Sequence, residues 1–177
     1  MTGRHWIGLA LVMLAAAGTL VVPGLQEDTG PPGRPTGPTH GCDDARGAPS
    51  ERPTLCLLNA ERRRNGREAL RRNPALDRAA RAHAEDMAAR DYFAHEAPDG
   101  TGPHRRILRA GYRDPRLTGE NLAFGEREAG APSAIVDGWM HSPGHRRNIL
   151  RPGFAEIGIA VVEDGDRAIY VTTFGRR

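Results

Sequence analysis

Three short strings of the sequence place histidine, glutamate and serine among apolar or turn-forming residues. They are Phe93-Ala94-His95, Gly119-Glu120-Asn121-Leu122-Ala123 and Trp139-Met140-His141-Ser142-Pro143-Gly144-His145. A neutral imidazole can bind a divalent cation or accept a proton. The sequence contains no HExxH, GxSxG, phosphate-binding glycine loop or EF-hand spacing. The chemistry of these strings therefore depends on the elements that bring them together.

The helix that follows Asn73 is the clearest of these elements. Asn73 is a good N-cap residue, and Pro74 suits the first helical position. An apolar stripe at helical spacing follows, made of Leu76, Ala80, His83 and Met87. Because His83 lies on this stripe, we expect a hydrogen-bonded core histidine rather than a ligand.

Four more helices and a hairpin complete the predicted domain. The hairpin pairs a strand in which Ile157, Ile159 and Val161 alternate with a second strand over 168–174, across a turn at Asp164-Gly165. Helices followed by a terminal hairpin indicate an α+β domain. The predicted helices are 54–65, 103–110 closed by Gly111, one capped by Ser133, and one capped by Ser142 that ends near Leu150.

The N-terminal segment predicts export. Arg4 precedes an apolar run over 6–22, so residues 1–24 are either a signal peptide or an uncleaved membrane anchor. Both alternatives place the domain outside the cytoplasm, secreted or anchored to the outer face of the membrane. Residues 25–52 are rich in proline and glycine and are predicted to be a disordered linker. The folded domain is predicted over 53–177.

The chain has only two cysteines, Cys42 and Cys56. This number excludes a cysteine-rich scaffold and a four-thiolate zinc site. In an oxidising compartment the two can form a disulfide that joins the linker to the domain. The alternative is a buried Cys56 with a free Cys42.

Charge and aromatic content argue against a nucleic-acid partner. The 177 residues carry 25 basic groups, all arginine, and 22 acidic groups, so the net charge is only +3. The two signs are interspersed along the chain, and aromatic residues make up 5%. We therefore expect no nucleic-acid binding, and membrane contact only through the N-terminal segment.

Five strings, read in order, resemble a bacterial-type member of the CAP superfamily. That superfamily comprises the cysteine-rich secretory proteins, antigen 5 and pathogenesis-related proteins, and its module is also called the SCP domain. The resemblance covers about 55–174 and implies a three-layer α-β-α sandwich in an extracellular or envelope-attached protein. The strings are LLNAERRRNG, DYFAHEAPDG, GENLAFG, WMHSPGHRRNIL and FAEIGIAV.

The resemblance also implies a central cavity in this chain. His95, Glu120 and His145 match the family's motif positions. Ser142 takes the fourth cavity position, where animal and plant members usually carry a second glutamate. The reduced set weakens the case for an activity that needs paired carboxylates.

Physical reasoning leaves three interpretations of these residues open. With Pro143 opening a helix, His145 lies in its first turn, where the helix dipole favours the neutral imidazole. His95, Glu120 and His145 would then offer three ligands and an open position to a divalent metal such as zinc, although no cofactor is required. Alternatively, Glu120 holds the central strand to the helices through hydrogen bonds, or the residues are catalytic.

Five neighbouring polar residues are predicted to have no chemical part in the site. Ser142 is expected to cap a helix rather than to act as a nucleophile. Glu156 and Arg146 are expected to be a surface carboxylate and a solvated cation, and His104 and His141 have no evident role.

The favoured functional hypothesis is a binding module that takes an extracellular lipid, glycan or peptide. The evidence for it is an export segment, a linker and an incomplete catalytic set. The alternative is a metal-dependent hydrolase or protease that uses the same cavity.

Overall fold

The computed structural model describes Cys42 and residues 45–177. The predicted export segment 1–24, and the predicted linker up to residue 44 apart from Cys42, lie outside the described residues. Within the described part of the chain, no helix combines the length and apolar character needed to cross a bilayer.

The described residues form five α-helices, one 3₁₀ turn and a four-stranded mixed sheet. The strand order is β1-β3-β4-β2, with β1 parallel to β3 and the other pairs antiparallel. The helices are α1 Glu51–Arg64, α2 Pro74–Arg90, α3 Pro103–Arg109, α4 Pro132–His141 and α5 Pro143–Ile149. The strands are β1 Arg71–Arg72, β2 Leu117–Glu126, β3 Glu156–Asp164 and β4 Arg167–Arg176, and the 3₁₀ turn is Arg127–Gly130.

Both faces of the sheet are buried under helices, which confirms the predicted α+β class and three-layer arrangement. Ile157 and Phe174 face one core with side chains of α1, α4 and α5, including Trp139. Ala160 and Val171 face the opposite core, which α2 supplies. Alternate side chains of the strands therefore pack into two different cores, one on each face of the sheet, and neither face is left to solvent.

Helix α2 begins as predicted and packs unusually close to the sheet. The side chain of Asn73 accepts hydrogen bonds from the amides of Ala75 and Leu76 at 2.9 and 3.4 Å. On β3, a Cβ at Gly158 would lie 2.0 Å from the carbonyl carbon of Leu76. Gly158, one of the small residues between the alternating apolar residues of β3, is therefore the point where α2 contacts the strand backbone.

The N-terminal boundary of the folded domain differs from the prediction. Helix α1 begins at Glu51 rather than at residue 54, and the carbonyl of Ala45 accepts a hydrogen bond from the Ser133 amide at 2.8 Å. A disulfide joins Cys42 to Cys56. Residues 45–52, predicted as the end of the linker, are thus held against the domain because the disulfide and α4 anchor them.

Ser133 does not cap α4, contrary to the prediction. Ala131 occupies the N-cap position without a side-chain cap, and Pro132 is the first helical residue. Proline fixes its own φ at a helical value and needs no amide partner, so the helix starts there and places Ser133 in its first turn.

Strand β2 was not among the predicted elements, and the strand that carries Glu120 is not central. It pairs only with β4 and forms an edge of the sheet. Its edge carbonyls are covered by side chains: Asn148 donates to the carbonyl of Glu120 at 3.1 Å, and the Trp139 indole donates to that of Leu122 at 2.9 Å. Covering of this kind protects an edge strand from pairing with another chain.

Glu156 is buried, contrary to its prediction as a surface carboxylate. It accepts hydrogen bonds from the Tyr112 hydroxyl at 2.6 Å, from Asn73 at 3.0 Å and from Arg177 at 3.1 Å. Burial alone would raise its pKa, but these hydrogen bonds outweigh burial and lower the pKa of Glu156. Arg146 is exposed as predicted and donates to Asn65.

Candidate functional site

Glu120 is the buried centre of the candidate site. Its side chain is 1% exposed, and it lies on β2 with the same strand parity as Leu122, which packs in the α2 core. The Arg106 guanidinium donates to both carboxylate oxygens, at 3.1 and 3.0 Å. The His95 ring nitrogen Nδ1 lies 2.8 Å from Oε1. The carboxylate is thus fully engaged by two side chains from outside its own strand.

Arg106 organises the loop that carries His95, and sequence reasoning missed it. From α3 it donates to the carbonyl of Thr101 at 2.6 Å and to that of His95 at 2.7 Å, in addition to Glu120. Its side chain is 10% exposed. The sequence offers little to distinguish it among 25 arginines; its only signal is its position next to the apolar Ile107 in a predicted helix.

His95 is oriented by Glu120 and open to solvent. Its side chain is 52% exposed. Because an ionised carboxylate can only accept, the contact requires Nδ1 to donate, so the neutral ring carries its lone pair on Nε2. That nitrogen makes no hydrogen bond within the described residues. His95 therefore presents an acceptor atom to whatever approaches from outside.

His83 is a buried, hydrogen-bonded histidine, as predicted. Its Nε2 lies 2.9 Å from the carbonyl of Ala94, and its Nδ1 lies 3.4 Å from the Tyr92 hydroxyl. Burial is the main cause of its lowered pKa, although the Glu120 carboxylate opposes the shift. The same Nε2 is 3.9 Å from Oε1 of Glu120. The structure thus adds a neutral core histidine to the site. The sequence predicted that His83 is buried but not that it lies beside Glu120.

His145 lies in the first turn of α5, beside the site but not bound to Glu120. Its side chain makes no ion pair with that carboxylate within 4.0 Å in the part of the chain described. Its pKa is lowered, first by burial and second by the proximity of His95. The direction agrees with the predicted neutral state, and burial is its main cause.

Two asparagines, also missed from the sequence, position His145 relative to Glu120. Asn121 donates to the carbonyl of His145 at 3.1 Å. Asn148 donates to the side-chain oxygen of Asn121 at 2.9 Å, as well as to the carbonyl of Glu120. This network joins β2 to α5. Both asparagines stand inside strings that the sequence analysis singled out.

Ser142 and the two remaining histidines take no part in this network. Ser142 occupies the N-cap position of α5 as predicted but forms no capping hydrogen bond. Its hydroxyl makes no hydrogen bond to His145 among the described residues. His104 lies 3.2 Å from the Thr118 hydroxyl, and His141 contacts the carbonyl of Asp137, both exposed at the surface.

Comparison with known proteins identifies the family of this arrangement. The family model named CAP, the cysteine-rich secretory protein family, matches residues 55–174. The chain belongs to the CAP family. Helix α1, the sheet and every residue of the site lie within or at the border of the matched region.

Three proteins from bacteria are similar to this CAP domain. The uncharacterized protein YkwD of Bacillus subtilis (strain 168) is 37% identical over 115 residues, which is 65% of this chain and 43% of YkwD. An extracellular SCP-domain protein from Bacillus anthracis str. Ames is 28% identical with a TM-score of 0.62, over 70% of this chain and 39% of that one. An outer surface protein from Borrelia burgdorferi shares the fold, with a TM-score of 0.62 at 24% identity, over 70% of this chain and 89% of that one. This chain spans less than half the length of the two Bacillus proteins.

The donor set of this CAP domain does not fit the three-ligand metal site. Both Glu120 oxygens face the Arg106 guanidinium, whose charge opposes a cation at the same place. No group of three or more His, Cys, Asp or Glu side chains within Cys42 and 45–177 is placed to hold a metal ion. This arrangement does not provide three free ligands for a metal ion. The zinc site at His95, Glu120 and His145 stays a prediction.

An exposed aromatic pair lies close to His95 in the chain and on the strand of Glu120. Phe93 and Phe124 are 41% and 52% exposed. Their rings meet edge to face with centroids 5.0 Å apart. Phe124 has the same strand parity as Glu120, four residues along β2, and Phe93 precedes His95 by two residues. The CAP domain therefore presents an imidazole acceptor and an apolar surface in neighbouring segments.

Proposed function

We propose that this CAP-domain protein is an exported, envelope-associated binding module that holds an extracellular ligand at His95 and the Phe93/Phe124 pair. The observation that carries the proposal is the orientation of His95. A buried carboxylate fixes the ring through Nδ1, while the side chain is half exposed and Nε2 has no hydrogen-bond partner in the described chain. A fixed acceptor at an open surface suits recognition of a hydroxyl or amide donor.

Export is supported by three separate observations. The apolar run over 6–22 is typical of a signal or anchor. The Cys42–Cys56 disulfide suits an oxidising compartment. The relatives from Bacillus anthracis and Borrelia burgdorferi are described as an extracellular and an outer surface protein.

Of the three ligand classes, lipid, glycan and peptide, a glycan fits this surface best. A glycan that carries hydroxyl and acetamido groups offers donors to Nε2 of His95 and apolar C–H faces to the two phenylalanines. The surface of a lipid bilayer offers fewer hydroxyl and amide donors to Nε2 of His95 than a glycan does. A peptide that added a strand to the sheet would meet the β2 edge where Asn148 and Trp139 already engage the carbonyls of Glu120 and Leu122.

The test is co-sedimentation of the purified full chain with bacterial peptidoglycan. Phosphatidylglycerol vesicles and a mixed unstructured peptide library are the competing ligands. We expect saturable binding to peptidoglycan that His95→Ala and Phe124→Ser each weaken by about tenfold, since each removes a direct contact.

The matched controls are His141→Ala and Leu108→Ser, which remove an exposed histidine and an exposed apolar residue outside the site. Both should bind like the unaltered chain. Binding that all four variants weaken equally would contradict the proposal. Preferential binding to the peptides, or binding to the vesicles that His95→Ala and Phe124→Ser weaken, would do the same.

A hydrolase that uses His95 as a general base is the second candidate. The same hydrogen bond to Glu120 favours it, because it orients the ring so that Nε2 carries the lone pair that a general base needs. This function predicts turnover of peptide or ester substrates that His95→Ala abolishes while folding is retained. Loss of the turnover on adding a chelator would instead support the metal-dependent form.

A further inference from the structure

A cavity of about 420 Å³ lies between α2, α3 and the 97–101 segment. His95, Glu120 and His145 do not line it, although Arg106 and His83, which lie beside Glu120, form part of its wall. Its volume falls within the range of small-molecule sites. The apolar part of its lining is formed by alanines, namely Ala79, Ala82, Ala97 and Ala110.

The charged part of the lining carries more cations than anions. Four arginines and two aspartates line the cavity. Arg106 is paired with Glu120, and Arg90 with Asp86 at 3.4 Å. Apart from these pairs, the charged residues of the lining are two arginines, Arg78 and Arg109, and one carboxylate, Asp99.

The two remaining arginines are held in place by neutral groups. Arg78 donates to the carbonyl of Ala110 at 2.9 Å, and Arg109 donates to the Thr101 hydroxyl at 3.3 Å. Neither makes an ion pair within 4.0 Å among the described residues. Their guanidinium groups are therefore positioned at the cavity but have not been neutralised.

A buried donor in the same lining lacks an acceptor. The Nε–H of Arg106 makes no hydrogen bond, although its side chain is nine-tenths buried and both of its terminal nitrogens are engaged. Such an orphaned donor is costly, and buried donors in folded proteins usually find a partner. Because that nitrogen is itself fully buried, it is not open to the cavity, and recognition by the cavity depends on Arg78 and Arg109.

We propose that this cavity binds a small organic anion. Its acid group would contact Arg78 and Arg109, and its apolar part would lie along the alanines. An inorganic anion alone would leave most of the 420 Å³ unfilled. An uncharged molecule would leave the excess positive charge unmatched.

The test is titration of the full chain with benzoate, phenyl phosphate and benzyl alcohol, followed by calorimetry and amide NMR shifts. We expect both anions to bind at least tenfold more tightly than the alcohol. Comparison of the two anions shows whether the site prefers a carboxylate or a phosphomonoester. The shifted amides should include those of Ala82, Ala97 and Thr101.

Arg109→Ala removes one of the unneutralised guanidinium groups and should weaken anion binding about three- to tenfold. Arg105→Ala is the matched control, because Arg105 is exposed on the same helix and does not line the cavity. It should change the affinity by less than twofold. His95→Ala should also leave binding intact, which separates this cavity from the surface of the proposed function.

Ala82→Leu tests the apolar part of the cavity without altering its charge. Ala82 is exposed on α2, so the larger side chain should fill space at the cavity while the fold survives. We expect weaker binding of benzoate and phenyl phosphate. Equal affinity for benzoate and benzyl alcohol would overturn the proposal, and so would equal losses from Arg105→Ala and Arg109→Ala.

Discussion

Glu120 and Arg106 form an ion pair in which each buried charge depends on the other. Their side chains are 1% and 10% exposed. Removing one partner of such a pair leaves the other charge without compensation in a poorly solvated site. The pair therefore positions His95 only as long as both charges are present.

We expect Glu120→Gln to lower the free energy of unfolding by about 3 kcal/mol, since the Arg106 guanidinium would lose its counter-charge. Urea unfolding of the variant and the unaltered chain measures the difference. Glu163→Gln, at an exposed carboxylate near the end of β3, is the control and should change stability by less than about 0.5 kcal/mol. Equal effects of the two substitutions would show that the ion pair does not stabilise the domain.

His83 gives stability a pH dependence of known sign. Burial lowers the pKa of His83 in the folded chain below its usual value of about 6.5. As pH falls below that value, the unfolded chain binds the proton first, so the free energy of unfolding decreases until the folded pKa is reached. Above about pH 6.5 this contribution is fully present.

The measurement is urea unfolding at several pH values between about 5 and 7.5, on either side of the ordinary histidine pKa. We expect stability to fall towards the acid end and the slope to be shallower in His83→Gln. Some slope should persist in that variant, because burial also lowers the pKa of His145. His141→Gln, at an exposed histidine, should keep the full slope. An unchanged slope in His83→Gln would contradict the argument.

At the scale of the elements, the close packing of α2 on β3 is the contact that sets the distance between a helix layer and the sheet. Gly158 allows the backbone at Leu76 to approach, and the Thr173 hydroxyl donates to the carbonyl of Leu76 at 2.9 Å. The Ile159 amide donates to the side chain of Asp77 at 2.9 Å. His83, further along α2, depends on this placement.

Gly158→Ala should destabilise the domain by about 2–3 kcal/mol, because its Cβ would overlap the α2 backbone and force the helix away from the sheet. Thermal or urea unfolding measures the loss. Gly138→Ala in α4 is the matched control. A Cβ there meets nothing within 4 Å, so the exchange should be neutral or stabilise the helix by up to about 1 kcal/mol. A Gly158→Ala domain as stable as this control would contradict the packing argument.

For the molecule as a whole, the Cys42–Cys56 disulfide sets where the folded domain begins. It closes a sequence separation of 14 residues and holds the chain before α1. Cross-linking of a loop of this length restricts the unfolded chain. The first turn of α4 adds a second attachment through the hydrogen bond from Ser133 to Ala45.

We expect the double substitution Cys42→Ser and Cys56→Ser to lower the free energy of unfolding by about 3 kcal/mol. Unfolding of both proteins with and without a reducing agent measures the effect. The reductant should weaken only the unaltered chain. If the reductant left the unaltered chain as stable as before, the disulfide would not contribute to stability.

The sequence by itself determined the starts of α2 and α5 and the family. Asn73-Pro74 and Pro143 specify local backbone geometry, so α2 and α5 begin where predicted. Strand β2 escaped prediction because its string LTGENLAFGE has few β-branched residues, and pairing with β4 rather than local propensity makes it a strand.

Tertiary structure alone decided the partners of Glu120. Arg106 and His83 reach it from two helices that are distant in sequence, and no local pattern encodes such a meeting. It also decided the burial of Glu156, because Tyr112 and Arg177 converge on it only in the folded chain. Local geometry follows from neighbouring residues, whereas burial and charge pairing arise between segments that only packing brings together.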